Sequence, residues 1–179
     1  MATTMLKGNV VNLAGNEVNV GEKAPQVTVV NSNGLADKVV GGASGKKQLI
    51  VVVPSLDTAV CATETRNFNK RASEIEGVDL TVVSMDLPFA AGRFCSTEGI
   101  ENLVVASDFR NKDFANAYGV LIADGALAGV TCRAIFAVNE EGTVTYKEIV
   151  PEITAEPDYE AALARSEEHT SELQSRLHL

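Results

Sequence analysis

The chain of 179 residues has no tryptophan, two histidines, three cysteines and five prolines, and only 5% of it is aromatic. Each scarcity excludes something. Aromatic side chains this sparse cannot pave a surface on which nucleic-acid bases stack. Basic residues are outnumbered by acidic ones, 15 to 24, and a formal charge of −9 argues against nucleic acid and against a membrane surface as partners. No apolar run approaches the length that spans a bilayer, and the longest, Leu49–Val53, suits a buried strand. The opening MATTMLKGNVV has no charged stretch leading into a long apolar one, so no secretory signal is expected and a cytoplasmic setting is. An odd number of cysteines without an export signal argues against a structural disulfide framework, leaving the thiols for chemistry or for packing.

Both histidines, His169 and His178, lie in the last fifteen residues, RSEEHTSELQSRLHL, where the composition changes abruptly. Arg165–Ser175 resembles the in-frame translation of a common sequencing-library adapter. The chain is therefore read as one domain over residues 1–164 with a non-native tail over 165–179, a genuine amphipathic helix being the alternative. Residues 1–164 then contain no histidine. That removes the base of Ser-His and Cys-His hydrolases and the usual ligand of zinc sites. What remains is 45% apolar and 22% charged over the whole chain, enough for one sizeable core.

Patterning predicts the elements. Met5–Val20 alternates around Ala14-Gly15-Asn16 and reads as a hairpin. Strands follow at Gln26–Val30, Leu35–Val40, Gln48–Val53, Val78–Ser84 and Leu103–Ala106. Helices are expected at Ala59–Ile75, with a buried stripe of Val60, Phe68, Ala72 and Ile75, and at Pro88–Cys95, Asn111–Ala117 and Pro157–Ala164. Thr131–Val138 and Thr143–Val150 flank the turn Asn139–Gly142 and form a hairpin. Strands alternating with helices, closed by a hairpin and a helix, describe an α/β thioredoxin-like fold: a central mixed β-sheet flanked by helices, with an N-terminal hairpin extension.

One stretch carries chemistry. In Pro54-Ser55-Leu56-Asp57-Thr58-Ala59-Val60-Cys61 a buried strand ends at a proline, and a cysteine follows in the first turn of a helix. Unpaired backbone N–H groups and the positive end of the helix dipole stabilise a thiolate at that place. Thr58 is spaced to hydrogen-bond the sulfur or an incoming oxygen, and also to cap the helix. From spacing alone two readings stand: a reactive thiolate, or a capping threonine beside a cysteine that only packs.

Pro-x-x-x-Thr-x-x-Cys, met here as Pro54, Thr58 and Cys61, resembles the peroxidatic motif of the peroxiredoxin family. PSLDTAVCATETRNFN, SMDLPFAAGRFCSTEGIEN, SDFRNKDFANAYGV, ADGALAGVTCRAIFAVNEEG and EITAEPDYEAALA are similar, in that order, to its bacterial thiol peroxidase branch, the atypical two-cysteine type. The resemblance implies a peroxidatic Cys61, a resolving Cys95, an Arg133 facing the sulfur, and Pro54 and Thr58 shaping the pocket. It implies reduction of hydrogen peroxide and organic hydroperoxides through a sulfenic acid and a Cys61–Cys95 disulfide. Thioredoxin is the implied reductant, a homodimer the implied assembly, and no metal, flavin or haem is needed because sulfur is the redox centre. Both thiols fall in or beside helices, so the turn at Cys61 and the segment Ala91–Ser96 are expected to unwind locally before they bond.

Cys132 neighbours Arg133 on a strand and so points to the opposite face, as a buried apolar residue. Leu56, Leu87, Phe89 and Ile122 are the expected apolar lining of the entrance. Gly41–Lys47 is no phosphate loop, since it lacks a Ser or Thr after Gly45-Lys46 and precedes a strand. Glu140-Glu141 and the set Glu152, Glu156 and Asp158 are read as solvated charge. A metal site of three cysteines lacks a close C-x-x-C pair. Two other classes share the cysteine chemistry: a protein disulfide exchanger, against which the missing C-x-x-C also speaks, and a non-catalytic redox sensor.

Overall fold

The structure, a computed structural model, describes residues 2–166. In chain order the elements are β1 (Thr3–Leu6), β2 (Asn9–Ala14), β3 (Val27–Asn31), β4 (Asp37–Val40), β5 (Lys47–Val52) and α1 (Ala59–Ala72). Then come β6 (Val78–Ser84), α2 (Pro88–Glu98), β7 (Val104–Ser107), α3 (Asp113–Tyr118), β8 (Leu121–Ile122), β9 (Ala134–Val138) and β10 (Val144–Ile149). Helical backbone at 159–166 is α4.

The apolar strand β5 decides the layering. It is buried on both faces, which strand pleat sorts by parity: Leu49, Val51 and Val53 face one side, Ile50 and Val52 the other. Seven strands in the order β10-β9-β5-β6-β7-β3-β4 make the sheet. β5, β6 and β7 run parallel, and the outer pairs are antiparallel. One face carries Cys61 and Phe68 of α1, Ala91 of α2, and Ala162 and Leu163 of α4. The other carries Phe114 and Tyr118 of α3 together with Val11 and Leu13 of the N-terminal hairpin. This is the thioredoxin-like arrangement with a mixed sheet and a hairpin extension. Because β5–α1–β6 and β6–α2–β7 are crossovers between parallel neighbours, α1 and α2 both begin at the carboxyl ends of their strands, where α/β folds place ligands.

Several boundaries differ from the sequence reading. The N-terminal hairpin turns at Lys7-Gly8, both at positive φ (50° and 82°), and not around Gly15. Two consecutive positive φ values fit the tight hairpin turn that matches strand twist. Gly15 serves another purpose: a Cβ there would stand 2.6 Å from the Asn116 carbonyl, so only glycine lets this segment pass the end of α3. The two-residue β8 pairs with β2, a bridge too short to leave a periodic signal. α1 stops at Ala72; of the expected apolar stripe Phe68 is buried and Val60, Ala72 and Ile75 are half-buried, while the other buried residues of the helix are Cys61, Glu64 and Thr65. A helix face holding a glutamate and a threonine inside the protein has reason to be functional.

Asp158 accepts from Ala161 N at 3.0 Å and caps α4. Arg165 and Ser166 continue that helix, while positions 167–179 of the suspected tail lie outside the described residues. Among the described residues no helix is long and apolar enough to cross a membrane.

Candidate active site

Pro54 closes β5, and Thr131 Oγ1 donates to the Val53 carbonyl at 2.7 Å, holding the strand end against the segment before β9. The chain then turns through Ser55–Thr58 into α1. Thr58 is the N-cap: its hydroxyl accepts from Cys61 N at 3.4 Å and donates to the Ser55 carbonyl at 3.0 Å. The capping reading of Thr58 is thus realised, and its single O–H is already committed. A ligand in this state meets the threonine as an acceptor.

The turn is clamped from β6. Asp86 accepts from Ser55 Oγ at 2.7 Å, Leu56 N at 2.8 Å and Ser84 Oγ at 2.9 Å, and its carbonyl accepts from Ser107 Oγ. One carboxylate therefore ties the loop that precedes Cys61 to the loop that opens α2. Asp86→Ala leaves the Leu56 N–H without its partner, a loss of about 1–3 kcal/mol. We expect a lower midpoint in thermal denaturation and slower oxidation of Cys61 by peroxide; an unchanged melting curve would contradict the clamp.

Cys61 is wholly buried in the first turn of α1, and Arg133, the residue before β9, comes within electrostatic reach of it. Arg133 is itself buried, donating Nε–H to the Ile153 carbonyl at 2.8 Å and NH1 to Glu64 Oε2 at 2.6 Å. Burial alone would weaken the charge on Arg133, but Cys61 and Glu64 outweigh it and hold its pKa above the ordinary value. Glu64 escaped the sequence reading. Its signal was positional, three residues after Cys61 and so on the same helix face. Burial pushes its pKa up to about 7, against the pull of Arg133 and with help from Glu148 and Glu156. Its second oxygen, Oε1, has no hydrogen-bond partner among the described residues.

Above this group lies a cleft of about 220 Å³, whose lining includes Pro54, Thr58, Arg133, Leu127, Val130 and Ile153. The structure thus places Pro54, Thr58 and Arg133 around the cleft, while Cys61 is wholly buried near Arg133 and outside that lining. The apolar lining was misplaced. Leu56 and Ile122 are core residues on opposite sheet faces, and Leu87 and Phe89 are exposed at the start of α2.

The fifth residue, Cys95, stands apart. It is half-buried in α2 and borders a different cavity of about 700 Å³ with Ser32, Gly92 and Ser96. Burial pushes its thiol up, with a hydrogen bond to Ser32 pulling partly back. All three cysteines are unbonded. Cys132 packs on the sheet face opposite Cys61, as parity requires, and burial pushes its thiol up to about 12. Of the acidic set read as solvated, Glu152 instead clasps the hairpin, accepting from Gly8 N at 2.8 Å and Thr154 N at 3.1 Å.

Residues 19–163 match the model of the family described as Redoxin. A protein named thiol peroxidase from Campylobacter jejuni is 56% identical over 158 residues, 88% of this chain and 89% of its own length. Another of that name, from Aquifex aeolicus, is 52% identical over 166 residues, 93% of this chain and 97% of its own. A solved structure, titled a peroxiredoxin-like protein from Aquifex aeolicus, superposes with a TM-score of 0.90 at 52% identity, covering 94% of this chain and 97% of that one. A match of this extent, over a sheet that places a cysteine at a helix start beside a buried arginine, leads to one conclusion: the chain belongs to the redoxin family.

Proposed function

We propose that the protein is a thiol-dependent peroxidase in which Cys61 is the sulfur that meets the peroxide. The observation that carries this is the buried Cys61 at the start of α1 within electrostatic reach of Arg133, which itself lines a cleft edged by Pro54 and Thr58. The thiolate is the nucleophilic form of a cysteine. Cys61 thiolate attacks one oxygen of the hydroperoxide, the O–O bond breaks, and sulfur keeps that oxygen as a sulfenic acid while the other departs as hydroxide or alkoxide and takes up one proton to become water or an alcohol. Arg133, with donors aimed into the site, stabilises charge growing on the departing oxygen. Thr58 Oγ1 accepts from the hydroperoxide O–H, and Pro54, having no N–H, does not compete for that oxygen. The apolar lining of Leu127, Val130 and Ile153 suits an organic hydroperoxide.

Cys95 then condenses with the sulfenic acid, releasing water and leaving a Cys61–Cys95 disulfide. In the reduced form Cys61 is wholly buried while Cys95 borders a separate cavity, so this step requires the start of α1 to open and α2 to loosen around Cys95. Thioredoxin, acting in the cytoplasm, returns the disulfide to two thiols by exchange. The working unit is a homodimer, as the resemblance implies, to be read by sedimentation of the reduced protein.

The test is peptide mapping of the peroxide-treated protein alongside turnover with thioredoxin. We expect a Cys61–Cys95 cross-link and sustained peroxide consumption. Cys95→Ser should react with peroxide once and then stop. Continued thioredoxin-dependent cycling by Cys95→Ser would overturn the assigned role of Cys95.

A further inference from the structure

The buried carboxyl beside the reactive sulfur has no part in the reaction as described. We propose that Cys61 and Glu64 share one proton across the Arg133 guanidinium, so that Glu64 is a neutral acid while the sulfur is a thiolate and a carboxylate whenever the sulfur is neutral. The inference rests on the reading of Cys61 given above and adds to it a positioning residue that sets the charge of the site.

The argument is one of charge balance. Arg133 is bonded to Glu64 and lies within electrostatic reach of Cys61, and all three side chains are 2% exposed or less. One buried cation compensates one buried anion. Ionising both acids leaves an unbalanced negative charge out of water, and protonating both leaves an unbalanced positive one. Like charges confined to one site divide a proton between them, as paired carboxylates do.

The hydrogen bonds point the same way. A carboxylate in the interior needs partners at both oxygens, but only Oε2 of Glu64 has one, the Arg133 NH1 group at 2.6 Å. A bare Oε1 is far less costly on a neutral carboxyl than on an ion.

Among the described residues no second cation acts on Glu64. Facing Glu64 are Cys61 on its own helix, Arg133 before β9, Glu148 of β10, Glu156 from the segment before α4, and Tyr159 of α4. Glu148 is itself engaged by the Asp158 N–H at 3.2 Å and the Tyr146 hydroxyl at 3.0 Å. Burial, with Glu148 and Glu156 adding repulsion, pushes the Glu64 pKa up to about 7 against the pull of Arg133.

The proton count closes. Cys61–SH and Glu64–COO⁻ become Cys61–S⁻ and Glu64–COOH, with no outside acid or base. When the thiolate takes an oxygen from the hydroperoxide, sulfur loses two electrons and the O–O bond gains them. The departing alkoxide or hydroxide takes one proton from water, and Glu64, freed of the neighbouring anion, releases one as it becomes the counter-ion of Arg133, so the count balances through solvent.

Infrared spectroscopy of the full-length protein reads the carboxyl directly. In the reduced wild type at neutral pH we expect a protonated carboxyl C=O band that is lost in Glu64→Gln. The same band should be lost in Cys61→Ser, where a neutral hydroxyl leaves Glu64 to balance Arg133 alone. A band unchanged in Cys61→Ser, or missing from the wild type, would overturn the proposal without touching the peroxidase reading, which fails separately if peroxide leaves Cys61 unmodified. The pH profile of peroxide reaction gives a second readout. Glu64→Gln keeps an acceptor for Arg133 but removes the competing anion. The pH at which the rate falls to half should therefore drop by about one unit or more, roughly tenfold in reactive sulfur on the acid side. A residue that merely braced Arg133 would change the height of that profile and leave its position.

Discussion

Cys61→Ser should lose peroxide reduction by at least about a thousandfold, because a serine hydroxyl at this place is neither ionised nor oxidisable to a sulfenic acid. The loss is expected in kcat and kcat/KM together, since the group removed is the one that bonds to substrate oxygen. Serine is close to cysteine in size, and the site is already capped by Thr58, so the fold should survive with a melting curve near that of the parent. Measured peroxide consumption within tenfold of the wild type would mean that another thiol does the chemistry. Cys132 is a poor substitute, being fully buried on the far sheet face with its thiol pushed up to about 12.

The second large effect belongs to Arg133. Arg133→Met removes the cation within electrostatic reach of Cys61, and by analogy with other electrostatic groups in active sites the rate should fall by roughly a hundred- to a thousandfold. Stability falls too. Deleting the buried cation costs about 3–5 kcal/mol, because the one negative charge that Cys61 and Glu64 share is then left buried without a counter-ion.

The pH dependence of that loss follows from Glu64. In the wild type its pKa is raised from 4.5 to about 7, so the folded state holds its proton more tightly than the unfolded chain does. Its contribution to stability is complete below pH 4.5 and is lost as pH rises through about 7. Without Arg133 the carboxyl resists ionisation further, so the deficit of Arg133→Met should widen with pH. Adding Glu64→Leu replaces the charged pair by apolar bulk and should restore most of the stability and none of the activity. Denaturant melts at pH 5 and pH 8 beside peroxide assays separate the two effects. A double variant that regained activity would show that Arg133 acts only as a structural counter-ion.

The layered fold was legible because β5, β6 and β9 are short apolar runs separated by helical patterns, and that pattern admits few topologies. Pro54, Thr58 and Cys61 were legible because a strand stop, a cap and a first-turn cysteine are consecutive in sequence. Glu64 was not. Its side chain looks like any solvent-facing helical glutamate until Arg133, 69 residues away, is packed against it. The cleft lining failed for the same reason. Leu127, Val130 and Ile153 reach it from loops, which have no periodicity, whereas Leu56 and Phe89 were close only along the chain. The hairpin turn was missed because Lys7 takes a positive φ that its residue type does not advertise, while Gly15 advertised a turn and serves a close contact.

The most direct measurement treats the reduced Cys95→Ser protein with one equivalent of hydroperoxide in the presence of a sulfenic-acid trap, and locates the adduct by peptide mass spectrometry. A single trapped oxidation at Cys61, formed as the peroxide disappears, is the predicted result. An adduct at Cys132, or peroxide consumed while Cys61 stays a thiol, would contradict the account.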